Sequence, residues 1–265
     1  MGDGSDFYEK TYGAVGADAQ TRVRNETYDE DLGQAGWLQA TEAREFASWL
    51  GPGVTSLLDV ACGSGGISVL LADELGAQVT GIDVDPQAIA AASARGADRC
   101  SFQVLDANDR LPFPDESFDA VFSNDSVHHL RDRAAALHDW ARVLRPGGQV
   151  LYTEGLVLTG PVSNEEIRRR TFMGFFTITP PAANESAIAD AGLLLERSED
   201  RSDAVADVGG RMRAARERYR DELVASEGED TYDAFQDFLD VAVSVAADRR
   251  LTRWVFHARK PFPAA

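Results

Sequence analysis

Apolar and polar positions follow two different periods along this chain. From Thr41 to Leu50 (TEAREFASWL) the apolar residues recur at helical spacing, and the run stops at Gly51-Pro52-Gly53. This predicts a helix followed by a breaker. From Thr55 short continuous apolar runs take over. SLLDVA ends in glycines, as a strand buried on both faces would, and ISVLLADEL follows as a helix. AQVTGIDVD predicts a second strand, and PQAIAAASARG a helix with Pro86 in its first turn. CSFQVLDA and FDAVFSND predict a third and a fourth strand, and AAALHDWARVL a helix. Pro146-Gly147-Gly148 predicts a turn before a fifth strand, QVLYTEG.

Strands alternating with helices mean βαβ units and a parallel sheet, with right-handed crossovers placing helices on both faces. The alternation breaks after Gly155. Residues 157–183 combine turn residues with an apolar stretch, TFMGFFTITPP. NESAIADAG then predicts a helix and LLLERSED a strand. Residues 204–248 predict a long, largely helical insertion, and LTRWVFHARK a last strand. The chain therefore divides into an N-terminal helical segment over 1–50 and a domain over 51–265, with insertions at about 157–183 and 204–248.

Composition narrows the class. No apolar run approaches the about 20 residues of a membrane helix, and MGDGSDFYEK has neither the basic start nor the apolar stretch of a secretory signal. The expected setting is the cytoplasm, without a membrane partner. Cys62 and Cys100 lack disulfide-framework or metal-site spacing, so no metal is expected. The net charge of −18 would repel phosphate backbones, so nucleic acid is not an expected partner. The candidate basic patches are Arg168-Arg169-Arg170 and RMRAARERYR (Arg211 to Arg220); the latter, helical with interleaved acids downstream, reads as a solvated helix face rather than a binding patch. Only Lys10 and Lys260 are lysines among 26 basic residues, a balance that fits a halophilic or high-GC source.

The chemistry concentrates at predicted strand ends. Asp59-Val-Ala-Cys-Gly-Ser-Gly-Gly66 joins a strand to a helix. Glycines there let a ligand approach the backbone, and the helix start offers free N–H groups. Dinucleotide enzymes use the same device, but their G-x-G-x-x-G spacing fails because Ser68 stands where the third glycine belongs. Asp59 would also repel a pyrophosphate; it suits a ligand carrying positive charge. Asp83 ends the second strand, where a carboxylate accepts ribose hydroxyls. Asp106 ends the third and can accept from an adenine amino group.

LLDVACGSGG, GIDVD, VLDA, FDAVFSND and RVLRPGG together resemble the ordered signature of class I S-adenosylmethionine (SAM)-dependent methyltransferases. They are most similar to the small-molecule group called methyltransferase type 11, which includes ubiquinone-type enzymes. The resemblance covers roughly residues 54–155, with Ala61 replacing a glycine that many members carry. It implies a Rossmann-like α/β fold: a seven-stranded, mostly parallel sheet with a reversed final hairpin and helices on both faces, plus helical lid insertions. It implies SAM as cofactor and S-adenosylhomocysteine (SAH) as product. Asp59, Ala61, Gly63 and Gly65 would lie at the methionine end. Asp83 with Val84 would hold the ribose, Asp106 with Ala107 the adenine, and Ser123-Asn124 the sulfonium side.

Methyl transfer needs alignment more than functional side chains, and a base only where the acceptor must lose a proton. The candidates are Asp125, His128 and His129 after the fourth strand, with His129 favoured because histidine titrates near neutral pH. Glu154, at the end of the fifth strand, is a further candidate. His257 reads as structural. Among the N-terminal aromatics (Phe7, Tyr8, Tyr12, Tyr28, Trp37), Tyr28 and Trp37 bracket a segment suited to a lid over the cofactor. The 157–183 and 204–248 insertions complete an acceptor lid. The expected activity is methyl transfer to an N, O or C atom of a small molecule, by a monomer or homodimer. The alternatives are a nucleic-acid or protein methyltransferase, a SAM-fold protein with non-methylating chemistry, and a non-catalytic SAM-binding module. NDSV stands where an Asn-Pro-Pro-Tyr-like motif would mark amino methylation of DNA or glutamine.

Overall fold

The computed structural model describes residues 12–13 and 16–263. Phe7 and Tyr8, named above with the lid segment, lie outside the described residues. The elements run α1 (Asp18–Thr27), α2 (Ala40–Leu50), β1 (Ser56–Val60), α3 (Gly66–Leu75), β2 (Gln78–Asp83), α4 (Pro86–Ser93), β3 (Cys100–Val104) and β4 (Phe118–Ser123). A 3-10 turn (Val127–His129) precedes α5 (Arg133–Val143), β5 (Leu144–Leu158), α6 (Asn164–Arg170), α7 (Pro181–Asp190) and β6 (Leu194–Asp200). Then follow α8 (Ser202–Arg218), α9 (Arg220–Glu227), α10 (Glu229–Ala247) and β7 (Leu251–Arg259).

The seven strands form one sheet in the order β3-β2-β1-β4-β5-β7-β6. β1 pairs in parallel with both β2 and β4, whereas β7 runs antiparallel to β5 and β6. The order reverses between β1 and β4, and a crevice opens at the carboxyl ends there. Alternate residues of the central strands enter different cores. Leu57, Ala120, Phe122 and Leu151 pack with Phe46 of α2 and Leu71 of α3. Leu58, Val60, Val121 and Tyr152 pack with Leu137 and Trp140 of α5 and Ile188 of α7. Continuous apolar runs such as SLLDV follow from burial on both faces, each full leucine contributing about 1.5–3 kcal/mol.

A further core joins α1 to the late helices. Val23 of α1, Tyr28, Trp37 and Met173 pack with Val208 and Met212 of α8 and Phe238 of α10. The 1–50 segment thus divides, α2 lying on the sheet and α1 on the late helices. Two local expectations give way. The Pro146-Gly147-Gly148 turn lies inside β5, where Gly147 takes φ +78° and the register against β4 shifts. Asn164–Arg170, unread as an element, is a helix begun by a capping box between Ser163 and Glu166.

Candidate active site

A cleft of about 1350 Å³ lies at the carboxyl ends of β1, β2 and β4. Its floor is the loop after β1. Ala61, Gly63 and Gly65 adopt φ of 59°, 55° and 75°, a region that glycine enters without penalty. A Cβ on Gly65 would fall 2.7 Å from Ala92 and 2.8 Å from Phe102, and one on Gly66 1.8 Å from the Leu32 carbonyl oxygen. The loop is therefore clasped from above by the 32–36 strap. Arg95 ties the two together, donating to Leu32 O (2.7 Å) and Ser64 O (2.6 Å), while the Ser64 hydroxyl donates to Gly33 O (2.9 Å).

The three strand-end carboxylates all line this cleft. Asp59 is buried and accepts from the Ser68 hydroxyl at 2.5 Å. Burial, with the Asp83 charge adding to it, pushes its pKa up to about 7. Asp83 accepts N–H groups of Gly63 and Asp85, both at 2.9 Å, and burial raises its pKa too. Asp106 accepts the backbone and side-chain N–H of Asn108 at 2.8 Å. Three carboxylates around a glycine loop suit a ligand with hydroxyl and amino donors and a positive charge, as a nucleoside carrying a sulfonium and an ammonium would offer.

Ala61, Gly63, Val84, Ala107, Ser123 and Asn124 also line the cleft. Gly65, Tyr28 and Trp37 do not: Gly65 shapes the loop from beneath, and the two aromatics belong to the late-helix core. Tyr28 donates its hydroxyl to Gly36 O at 2.8 Å, and Trp37 stacks on Phe238 at 5.9 Å between ring centroids. Both support the strap rather than face the cavity.

Of the expected catalytic groups, His129 lines the cleft and His128 and Glu154 lie behind it. Glu154 is fully buried; it accepts from Leu156 N (2.8 Å) and Arg133 Nη2 (2.8 Å) and pairs with His128 Nδ1 (2.9 Å). It is thus a buried ion-pair centre, not a cavity carboxylate. The His129 Nδ1–H donates to Phe175 O at 3.1 Å, so the neutral ring carries its lone pair at Nε2. Burial, then the neighbouring His128, pushes its pKa down to about 3, so the expected titration near neutral pH gives way to a ring that stays neutral. Phe172, Met173 and Phe175 form an apolar wall beside it, with Phe175 56% exposed. His257 is buried against Gln149 at 2.8 Å.

Sequence reasoning missed Arg253, which is fully buried on β7 and paired with Asp125 and Glu42. Its one signal was an arginine directly before the apolar run Trp254-Val255-Phe256 of a buried strand. The basic runs form no open patch. Arg168 pairs with Glu165, Arg169 with Asp240, Arg211 with Asp207, Arg216 with Glu227, and Arg220 with Glu229. Arg170 is buried over Trp37 and Phe238. No helix among the described residues is long and apolar enough to cross a membrane.

Residues 58–152 match the family described as a methyltransferase domain. The chain is 34% identical to the 27-O-demethylrifamycin SV methyltransferase of Amycolatopsis mediterranei over 54% of its own length and 56% of that protein's. It spans about half the length of the curated relatives it matches. In fold it is similar to Haemonchus contortus phosphoethanolamine N-methyltransferase 2 solved with S-adenosyl-L-methionine (TM-score 0.74, 25% identity, 84% of this chain and 53% of that one). It is also similar to the [4+2]-cyclase SpnF (TM-score 0.74, 22% identity, 99% and 98% covered).

Proposed function

We propose that this chain, with the methyltransferase domain of residues 58–152 at its centre, is a SAM-dependent methyltransferase acting on an N, O or C atom of a small-molecule acceptor. The observation that carries the reading is the convergence of Asp59, Asp83 and Asp106 with the glycine loop on one cleft inside the matched segment. When bound, SAM supplies a methyl group on a sulfonium that leaves as a neutral thioether. In this reading Asp59, with the loop at Ala61, Gly63 and Gly65, receives the methionine end. Asp83 with Val84 holds the ribose diol and Asp106 with Ala107 the adenine amino group, while Ser123-Asn124 flank the sulfonium.

The protein's own part is to align the acceptor and exclude water, worth about 7–11 kcal/mol when the reacting atoms are held in line. The wall of Phe172, Met173 and Phe175 gives the acceptor an apolar seat. His129 lines the cleft beside that seat as a neutral ring. A base this weak takes a proton only as the acceptor turns strongly acidic, as an alcohol oxygen does while gaining a methyl group. The 32–36 strap and the Phe172–Phe175 stretch of the 157–183 segment act as the lid, with the helices of the later insertion packed behind them. The free thiols Cys62 and Cys100 fit a reducing cytoplasm.

Isothermal calorimetry with SAM, SAH and NAD tests the reading. Micromolar binding of the first two and none of NAD is expected. A chain that binds neither SAM nor SAH is not this enzyme.

A further inference from the structure

Behind the cleft, three charged side chains meet where the N-terminal segment, β4 and β7 come together. The Arg253 guanidinium donates through Nε to both Asp125 oxygens (2.8 and 3.1 Å), through Nη1 to both Glu42 oxygens (2.9 Å each) and through Nη2 to Asn124 Oδ1 (3.4 Å). Burial opposes its charge, but Asp125 and Glu42 outweigh that and hold it protonated. Asp125 takes φ +48° and also accepts the Trp37 N–H at 3.2 Å. Asp125 and Asn124 line the cleft; Arg253 and Glu42 do not. Arg253 and Glu42 also fall outside the segment that matches the family.

Two carboxylates against one guanidinium leave a net negative charge, all three side chains being 11% exposed or less. The cations nearby do not outweigh it: Arg201, which also feels the Glu42 charge, is itself paired with both Glu45 and Glu199. Thr153 and Asn124 are neutral, the His129 ring is uncharged, and Arg170 lies across Trp37, over the Phe238 ring. Charge buried this way is screened little by salt.

We propose that the Glu42–Arg253–Asp125 cluster is a charge filter that favours the cationic sulfonium cofactor over its neutral thioether product. The inference rests on the cofactor reading above. In the transfer the acceptor lone pair forms the new bond to the methyl carbon, the C–S bond pair stays on sulfur, and sulfur loses its positive charge. A net negative cluster beside Ser123-Asn124 then holds the incoming cofactor more tightly than the spent one. At an effective dielectric of about 20, removing one unit charge is expected to shift that preference about tenfold.

Glu42→Gln tests this, because it keeps the size and one of the two Arg253 hydrogen bonds, removes one charge, and alters no residue of the cleft wall. Calorimetry would give the ratio of the SAM and SAH dissociation constants for the parent protein, Glu42→Gln and Asp125→Asn. Glu196→Gln serves as control, because this acid on β6 pairs with Arg259, away from the cluster. The expected result is a ratio shifted about tenfold against SAM in Glu42→Gln and Asp125→Asn, with SAH affinity in Glu42→Gln within about twofold and no shift in Glu196→Gln. An unchanged ratio overturns the filter. Equal weakening of both ligands also overturns it, leaving the cluster as a brace for the strap. Failure of the parent protein to bind either ligand overturns the cofactor reading itself, and the filter with it.

Discussion

Asp83 Oδ2 accepts the Gly63 N–H at 2.9 Å, so the carboxylate that ends β2 also anchors the loop that follows β1. Its other oxygen accepts from Asp85. One side chain therefore shapes the floor of the cleft and presents a carboxylate to it. Asp83→Ala is expected to weaken SAM binding more than tenfold by calorimetry. The lost hydrogen bonds should also lower stability by about 1–3 kcal/mol in urea unfolding. Unchanged SAM affinity would refute the assignment of Asp83 to the ribose.

His129 makes a prediction about pH. Its folded pKa of about 3 lies below the ordinary 6.5, so the unfolded chain takes up a proton that the folded ring refuses. The stability this residue contributes is complete above pH 6.5 and is lost as pH falls toward 3. His129→Ala should flatten that part of the Tm-against-pH curve. It should also cut turnover at least tenfold with SAM affinity kept within about twofold. A parent rate profile with an inflection near pH 6.5 that His129→Ala abolishes would contradict the low pKa.

Glu154 separates structure from chemistry. Removing it leaves Arg133 and His128 without their shared buried partner, a loss of about 3–5 kcal/mol. For a chain of this size that is a fall in Tm of about 10 °C. Glu154→Ala should show this by calorimetric scanning, and Glu154→Gln a smaller fall. SAM affinity should persist in whatever fraction stays folded. Loss of turnover in Glu154→Gln at unchanged Tm would return Glu154 to the list of catalytic groups.

Gly66 tests the strap. A Cβ there would lie 1.8 Å from Leu32 O, a backbone atom that can yield only if the whole 32–36 segment shifts. Gly66→Ala should lower SAH affinity about tenfold and depress Tm. Gly53→Ala, where a Cβ meets nothing within 4 Å, should change stability by no more than about 0.5 kcal/mol. Equal behaviour of the two variants would mean that the strap does not clasp the glycine loop.

The sheet and the carboxylate-lined side of the cleft were legible in the sequence, because their causes are local. A strand buried on both faces must be apolar throughout, as SLLDV is, and a backbone in the left-handed region calls for glycine at Gly63 and Gly65. Asp59, Asp83 and Asp106 could be singled out because in a parallel sheet every strand's carboxyl end lies on one side. Burial, charge pairing and packing across distant segments were decided by tertiary structure alone. Glu154 was expected to end its strand as Asp59 nearly does, but β5 runs on to Leu158 and Glu154 faces Arg133 and His128 rather than the cleft. His129 has an ordinary histidine's chemistry until burial and its neighbour lower its pKa. Tyr28 and Trp37 could be placed in the lid by composition, but only packing against Phe238 turned Trp37 away from the cavity. Arg253 lies 128 positions from Asp125 and 211 from Glu42, and no local period relates residues so far apart. Their meeting follows from β7 entering the sheet beside β5, which brings the end of the chain to Asp125 in the loop after β4.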